Sequence, residues 1–269
     1  MNETRNNIAV SICCLTYNHE GLIRDALKGF LMQETNFPFE IVIHDDASTD
    51  GTQAIIREYQ AAYPDLIRPI FQTENQLSKT GVYPFWTELY PAARGKYIAE
   101  CDGDDYWTDP QKLQKQFDFL EANPDYAMCH HDYLIMEMAS GEIHQPSLQL
   151  PRDFTAAQLI GFDEGPAYGV HTSAKMWRNV YRDASPEQRR FIEGFWGDYP
   201  INTLMGMYGA CKYIPGIKPS IFRRGHASSS WTTMPTRLIQ QKTRDMQKRL
   251  NVLILQTGNA GWIKIRRGR

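Results

Sequence analysis

The chain has 269 residues, of which 42% are hydrophobic and 22% are charged, as in a globular protein that buries a sizeable core. These values exclude an intrinsically disordered chain, and apolar runs such as residues 8–15 and 252–255 are far too short to span a bilayer. The formal net charge is −2, but the charge is uneven: residues 218–269 carry +11 and the preceding residues −13. An acidic body suits a metal cation and argues against a nucleic acid partner.

Apolar runs alternate with amphipathic helices in the first half of the chain. Residues 8–15 form an unbroken apolar run, as in strands that are buried on both faces of a parallel sheet. We expect strands at residues 8–15, 39–44, 66–71 and 96–101, and helices at 20–32, at 50–62 and from 109 onward. This order predicts an α/β fold with a Rossmann-like, mostly parallel central sheet flanked by helices.

The second half of the chain is less regular. We expect helices at residues 154–160, 186–193, 199–208 and 235–257. No repeat or low-complexity linker interrupts the sequence. The pattern therefore predicts one domain over residues 1–230, followed by a basic amphipathic helical extension at 231–269.

Three polar clusters follow predicted strands. They are Thr16-Tyr17-Asn18, Asp45-Asp46-Ala47-Ser48 and Asp102-Gly103-Asp104-Asp105. Ligands of open α/β sheets bind beyond the carboxyl ends of the strands. Because parallel strands end at the same edge, we expect all three clusters to meet there.

The cluster at residues 102–105 contains three acids that repel one another unless a cation or hydrogen-bond donors compensate. Oxygen ligands without a neighbouring His or Cys favour Mg²⁺ or Mn²⁺. An acidic turn that caps the next helix is an equally simple explanation, and a strand-ending turn would explain Asp45 and Asp46. An aromatic ring, carboxylates and a metal site lying together would instead indicate a nucleoside diphosphate ligand. The sequence contains no P-loop and no dinucleotide-binding glycine motif.

Three segments resemble the successive signatures of glycosyltransferase family 2 enzymes with the GT-A fold. The segments are Val-Ser-Ile-Cys-Cys-Leu-Thr-Tyr-Asn at 10–18, Glu-Ile-Val-Ile-His-Asp-Asp-Ala-Ser-Thr-Asp-Gly-Thr at 40–52, and Ala-Arg-Gly-Lys-Tyr-Ile-Ala-Glu-Cys-Asp-Gly-Asp-Asp at 93–105. Their order and spacing also match. The resemblance is strong over residues 8–132 and weaker beyond, and it implies a nucleotide-sugar half at about 1–132 and an acceptor half at about 133–230.

The resemblance also implies roles for individual residues. The implied nucleotide site comprises Thr16, Tyr17, Asn18, Glu20, Asp45, Asp46, Asp102 and Gly103. The implied metal ligands are Asp104 and His226, and the implied catalytic base is Asp198, although Gly197 stands where a Glu often precedes that Asp. Candidate sugar or acceptor contacts are Asp105, Trp107, Asp132 and Trp231.

The implied activity is that of an inverting, Mn²⁺- or Mg²⁺-dependent hexosyltransferase. Such an enzyme would move a sugar from a UDP- or dTDP-linked donor to a hydroxyl of a glycan or lipid-linked glycan, in bacterial surface polysaccharide assembly. Two alternatives stay open. A sugar nucleotidyltransferase would need a glycine-rich phosphate loop near the first strand, where the sequence has none, and a non-catalytic nucleotide-sugar-binding protein is compatible with Gly197.

Two features bear on location. The five cysteines form no Cys-x-x-Cys pair, which favours a reduced, cytoplasmic setting. The basic segment at 235–269 predicts either a helix packed on the domain or peripheral contact with the inner face of an anionic membrane.

Overall fold

The computed structural model describes residues 8–147, 153–160, 170–182 and 199–227. Within these ranges the largest sheet has seven strands in the order β3-β2-β1-β4-β8-β5-β9. The strands are β1 (Val10–Thr16), β2 (Phe39–Asp45), β3 (Ile67–Phe71), β4 (Tyr97–Glu100), β5 (Tyr126–His130), β8 (Lys175–Arg178) and β9 (Ala210–Tyr213). The four strands predicted in the first half of the chain are confirmed, with small shifts at their ends.

The sheet is mostly parallel, as predicted. β1 pairs in parallel with β2 and β4, and β2 pairs in parallel with β3. β8 is antiparallel to both β4 and β5, and β9 is parallel to β5. β5 therefore runs in the same direction as β4, so the loops that follow β1, β2, β4 and β5 all emerge at one edge of the sheet.

Helices cover the sheet. They are α1 (Ile23–Leu31), α2 (Thr52–Ala62), α3 (Gln76–Thr80), α4 (Tyr90–Ala92), α5 (Lys112–Ala122), α6 (Ala156–Ile160) and α7 (Tyr199–Gly206). The predicted helices at 20–32, 50–62, from 109, 154–160 and 199–208 are confirmed, with later starts for the first four. Those predicted at 186–193 and 235–257, and the whole extension at 231–269, lie outside the described residues.

The unbroken apolar sequence of β1 is explained by packing on both of its faces. Ile12 and Cys14 face one core cluster, together with Phe30 of α1. Cys13 faces the other cluster, together with Trp177 of β8. All five side chains are fully buried, so a polar residue on either face of β1 would place an unpaired polar group in a core.

A second sheet, which the sequence analysis did not predict, has the order β10-β6-β7. Its strands are β6 (Tyr133–Glu137), β7 (Ile143–His144) and β10 (Ser220–Arg224). Tyr106, in the loop after β4, exchanges backbone hydrogen bonds with Ile221 of β10. The second sheet is thereby attached to the acidic loop of the first. Among the helices described, none is long and apolar enough to cross a membrane.

A buried carboxylate fixes the amino ends of the central strands. Glu40 Oε1 accepts hydrogen bonds from Ser11 Oγ at 2.7 Å and from Arg94 N at 2.8 Å, and Oε2 accepts from Arg68 Nη1 at 2.7 Å. Burial raises the pKa of Glu40, but hydrogen bonds from Arg94, Ser11 and Arg68 lower it by more, so the pKa lies below the ordinary 4.5. The charged form of Glu40 therefore stabilises the sheet.

We expect Glu40→Gln to lower the free energy of unfolding by about 2 kcal/mol, because it leaves two arginines without their buried partner. The pKa of Glu40 is lowered on folding, so its contribution is present above pH 4.5 and is lost as the pH falls through the folded-state value. The difference in the free energy of unfolding between the unmodified protein and Glu40→Gln, measured by urea titration, should therefore become smaller in acid. Glu74→Gln, at an exposed pair with Lys79, is the matched control and should change little at either pH. A pH-independent difference would contradict the assignment.

Candidate functional site

The three predicted polar clusters meet at the carboxyl edge of the parallel strands. Backbone hydrogen bonds continue the strand pairing into the loops, from Asp46 N to Thr16 O at 3.0 Å and from Gly103 N to Leu15 O at 2.9 Å. The loop after β4 thus runs directly beside the end of β1. The predicted convergence of these segments is confirmed.

Within the described residues, His19, Asp104 and His226 form a group whose candidate ligand atoms all lie within 4.8 Å of one another. His226 Nε2 lies 2.9 Å from Asp104 Oδ2, and His19 Nε2 lies 3.8 Å from the same oxygen. The acidic loop by itself indicated oxygen ligands, whereas the family resemblance implied His226 beside Asp104, and the structure has both His226 and His19 close to that carboxylate. The fold brings in one imidazole from each side of Asp104, from segments that are distant in sequence.

His19 is the functional candidate that the sequence analysis missed. It lies between Asn18 and Glu20, both of which were assigned to the nucleotide site. Its backbone carbonyl accepts hydrogen bonds from Leu22 N and Ile23 N, which form the turn before α1. Its position one residue beyond the Thr-Tyr-Asn motif, after a strand at the ligand-binding edge, was the available signal.

His226 is positioned by the second sheet. It follows β10, which is held to the acidic loop by Arg223. The Arg223 backbone N–H donates to Asp105 Oδ1 at 3.0 Å, and its guanidinium donates to the Asp104 carbonyl at 3.1 Å and to the Asp25 carboxylate. Arg223 therefore connects α1, the acidic loop and the strand that leads to His226.

The charges in this group affect one another. Burial raises the pKa of Asp104, but contact with His226 and the nearby charges of both imidazoles lower it by more, so it lies below its ordinary value of 3.8. Burial lowers the pKa of His19, against the opposing effect of Asp104. A carboxylate with a lowered pKa thus faces two imidazoles, a donor set that suits a divalent cation.

The residues next to His19 form the open side of the site. Tyr17 is 36% exposed, and Asn18 has a left-handed backbone with φ of 55°. Asn18 Oδ1 accepts from Thr49 N at 2.8 Å, and a Glu20 oxygen accepts from Gly51 N at 3.1 Å. Tyr17 is accessible to a planar base, while Asn18 and Glu20 tie this segment to the start of α2. Their contacts with a nucleotide stay predictions.

Asp45 is fully buried at the end of β2. Its two carboxylate oxygens accept hydrogen bonds from Ser48 N at 2.9 Å, from Ser48 Oγ at 2.5 Å and from Gln53 Nε2 at 2.6 Å. Asp45 thus shapes the turn to which Asn18 is bound, since Asn18 N donates to Ser48 Oγ. Its predicted role at the nucleobase remains a prediction.

Two residues assigned to the nucleotide site have side-chain partners within the protein, and their nucleotide contacts stay predictions. The Thr16 hydroxyl lies 3.0 Å from His19 Nδ1, and Thr16 is 1% exposed. Asp46 accepts hydrogen bonds from Gln76 N at 2.7 Å and Leu77 N at 3.1 Å. It satisfies the first backbone donors of α3, the ordinary role of an acid at a helix start.

Two candidate sugar or acceptor contacts are also buried and bonded within the protein, and their predicted roles stay predictions. Trp107 is 2% exposed, lies edge-to-face against Phe30, and donates its indole N–H to the Ser173 carbonyl at 2.7 Å, so it is a core residue. Asp105 is likewise 2% exposed and accepts the backbone N–H of Arg223, so it holds the second sheet in place.

The remaining assignments differ in their placement. Asp102 and Gly103 lie on the loop after β4, and Asp132 is exposed after β5, at the same edge, where it accepts a hydrogen bond from Tyr213 Oη at 2.6 Å. Asp198 and Trp231 lie outside the described residues. Their predicted roles are untested.

Two adjacent histidines, His130 and His131, stand at the end of β5, where neighbouring strand residues face opposite ways. His130 packs against Phe154 and Tyr213. His131 is buried, with Nδ1 2.7 Å from the Asp132 carbonyl. The two imidazoles thus have separate surroundings.

Comparison with known proteins identifies the family. The model of glycosyl transferase family 2 matches residues 11–183, which include the loops after β1, β2, β4 and β5 at the carboxyl edge of the sheet, here called the rim. The chain belongs to glycosyltransferase family 2. EpsE of Bacillus subtilis, named as a glycosyltransferase, is 33% identical over 196 residues, which cover 70% of this chain and 68% of EpsE.

A longer relative is Rv1520 of Mycobacterium tuberculosis, 45% identical over 152 residues. The match covers 56% of this family 2 chain and 43% of Rv1520, so the chain spans less than half the length of that relative. Among solved structures, S. aureus TarS 1–349 in complex with UDP-GlcNAc has a TM-score of 0.65 at 18% identity, over 94% of this chain and 68% of TarS 1–349. The predicted GT-A fold is thereby confirmed.

Gly103 marks the closest approach between the acidic loop and the end of β1. A Cβ atom built there would lie 2.7 Å from Thr16 Oγ1 and 2.7 Å from Ile23 Cδ1. We expect Gly103→Ala to lower the free energy of unfolding by about 1–3 kcal/mol in urea titrations, the usual cost of overpacking. Gly21→Ala is the control, because no atom lies within 4 Å of the added Cβ, and it should leave stability unchanged or slightly higher. Equal effects of the two substitutions would refute the tight contact.

Proposed function

We propose that this chain is an inverting, metal-dependent hexosyltransferase that moves a sugar from a UDP-linked donor to a hydroxyl of a glycan or lipid-linked glycan. The observation that carries this proposal is the group formed by His19, Asp104 and His226 next to exposed Tyr17, at the carboxyl edge of the parallel strands. In one site of a family 2 chain, that group could hold a cation beside a diphosphate, and the aromatic ring could contact a base. The family resemblance supports surface polysaccharide assembly as the setting.

The donor set fits a divalent cation. Asp104 supplies a carboxylate and His226 an imidazole, the pair predicted from sequence, and their ligand atoms converge within a distance that one ion can bridge. A cation such as Mn²⁺ or Mg²⁺ held there would supply positive charge beside the departing diphosphate. Asp104 then has the role of holding the charge in place, and Arg223 has the role of holding the Asp104 backbone.

The assignment of a UDP-linked donor rests on the residues at the end of β1 and on the TarS complex with UDP-GlcNAc. Tyr17 offers an accessible ring at the end of β1, and Asp45 shapes the neighbouring turn. A dTDP-linked donor shares the pyrimidine and the diphosphate. Comparing UDP with dTDP in binding titrations would separate these two donors.

An inverting transfer also needs a base on the acceptor side of the anomeric carbon. A carboxylate that is engaged with a cation is a poor proton acceptor, so Asp104 cannot serve both purposes. We assign the base to Asp198, which the family resemblance implies. It would accept the proton of the attacking hydroxyl as the bond to the diphosphate breaks.

The central test measures free UDP after incubation with UDP-sugars, Mn²⁺ or Mg²⁺, and glycan acceptors. We expect Asp104→Asn to reduce transfer by about 100-fold or more while the fold is retained, because the amide keeps the shape but loses the charge. Asp118→Asn is the control, an exposed acid of α5 bonded to Gln114, and it should transfer normally. Release of pyrophosphate from UTP and a sugar 1-phosphate, without release of UDP from UDP-sugars, would indicate a nucleotidyltransferase, and donor binding without turnover a binding protein. Normal activity of Asp104→Asn would refute the metal assignment.

The base is tested by Asp198→Asn. Residue 198 directly precedes α7 in the sequence, and Asn caps a helix about as well as Asp but cannot accept the proton. We expect normal donor binding and transfer reduced by about 100-fold or more. Asp132→Asn, at an exposed acid of the same edge, is compared in parallel with a saturating acceptor. Should Asp132→Asn lose transfer and Asp198→Asn keep it, the base assignment passes to Asp132.

A further inference from the structure

We propose that His19 is a third metal ligand, which with Asp104 and His226 makes a centre of two imidazoles and one carboxylate that selects Mn²⁺ and related transition ions over Mg²⁺. The inference rests on the proposed function for the presence of a metal in this cleft. It goes further by assigning His19 and Thr16 roles at the site and by predicting which ion is preferred.

The first argument is the geometry of the group. His19 Nε2 and His226 Nε2 both face the same carboxylate oxygen of Asp104, at 3.8 and 2.9 Å. The two rings are nearly perpendicular, with centroids 5.7 Å apart. Two nitrogens and one oxygen thus surround a common point from different directions, as ligands of one ion do.

The second argument is the way in which His19 is held. The Thr16 hydroxyl lies 3.0 Å from His19 Nδ1 and can accept its N–H, the tautomer that leaves a lone pair on Nε2 toward Asp104. The backbone N–H of His19 donates to Thr52 Oγ1 at 2.8 Å. Metal-bound histidines characteristically donate their second ring N–H to an oxygen in this manner. Thr16 is therefore a positioning residue for the imidazole.

The third argument is burial. The side chains of His19 and His226 are each 8% exposed, and that of Asp104 is 17% exposed. Holding an ionised carboxylate this far from water is costly unless it has a partner of opposite charge. A cation bound among the three side chains would provide that counter-charge.

The choice of ion follows from the ligand types. Mg²⁺ binds carboxylate and water oxygens and gives little preference to nitrogen, whereas imidazole favours first-row transition ions. A site with Asp104 alone would discriminate weakly. Each added imidazole raises the affinity for Mn²⁺ or Co²⁺ more than the affinity for Mg²⁺. Loss of His19 should therefore change the preference as well as the strength of binding.

The test measures Mn²⁺ binding by electron paramagnetic resonance on metal-stripped protein, alone and with UDP, in the absence of any sugar donor or acceptor. The unmodified chain should bind one Mn²⁺ with two imidazole ¹⁴N couplings in spin-echo spectra, and Mg²⁺ should displace it only at much higher concentration. His19→Gln should lose one coupling, weaken Mn²⁺ binding by about tenfold or more, and change Mg²⁺ affinity by less. The matched control is His144→Gln, which removes an imidazole of β7 that is paired with Glu137 of β6. This variant should bind Mn²⁺ normally.

Thr16 supplies a second, independent comparison. Thr16→Val removes the hydroxyl that orients His19 and should weaken Mn²⁺ binding, while Thr16→Ser keeps the hydroxyl and should restore it. This pair also replaces His19→Gln should that variant not fold.

The inference is overturned by an unchanged Mn²⁺ to Mg²⁺ preference in His19→Gln, by equal binding of the two Thr16 variants, or by absence of Mn²⁺ binding with and without UDP. Because binding is measured without transfer, His19-dependent Mn²⁺ binding in a chain that transfers no sugar would uphold the inference while refuting the proposed function.

Discussion

The site depends on the parallel pairing of β1 with β2 on one side and β4 on the other. This pairing has a single register, with Thr16 opposite Asp45 at the carboxyl end and Cys13 opposite Glu100. Side chains alternate between faces along a strand, so a shift of one residue would exchange two buried apolar sets. Both faces of β1 are packed, and Glu40 binds the amino ends through Ser11 and Arg94. The register that protects the cores therefore also fixes which loops meet at the rim.

At that rim, the acidic loop and the end of β1 lie close together because residue 103 is a glycine and has no side chain. Gly103 lets the acidic loop lie against Thr16 and Ile23, and its N–H continues the pairing with β1 through Leu15. The same close approach places Asp104 beside His19, since His19 follows Thr16 by one short turn. A larger residue at 103 would push the loop outward, away from the imidazole. The packing of the loop and the distance between Asp104 and His19 thus depend on the same contact.

The sequence predicts the part of the site formed by the loops after β1, β2 and β4, because the signals for this part are local in the sequence. Unbroken apolar runs identify β1 and β2, and the polar clusters that follow them are adjacent in the sequence to those runs. His226 is different, since its place beside Asp104 arises from the pairing of β10 with β6 and from the backbone contacts of Tyr106 with Ile221. Short strands of a small sheet give no distinctive hydrophobic period, so the second sheet was not predicted. The family resemblance, and not periodicity, indicated His226.

Composition alone also could not distinguish the roles of the rim acids. Asp45, Asp46 and Asp105 each accept at least one backbone N–H, and these bonds fix loops and helix starts. Their charges are already engaged by the protein, and each is 3% exposed or less. Asp104, on the same loop as Asp105, is more exposed and faces two imidazoles. The acids near this edge thus divide into residues that bind backbone N–H groups and one that faces two imidazoles, and only the partners of each carboxylate show this difference. By holding these loops through backbone hydrogen bonds, Asp45, Asp46 and Asp105 also fix the position of Asp104 relative to His19 and His226.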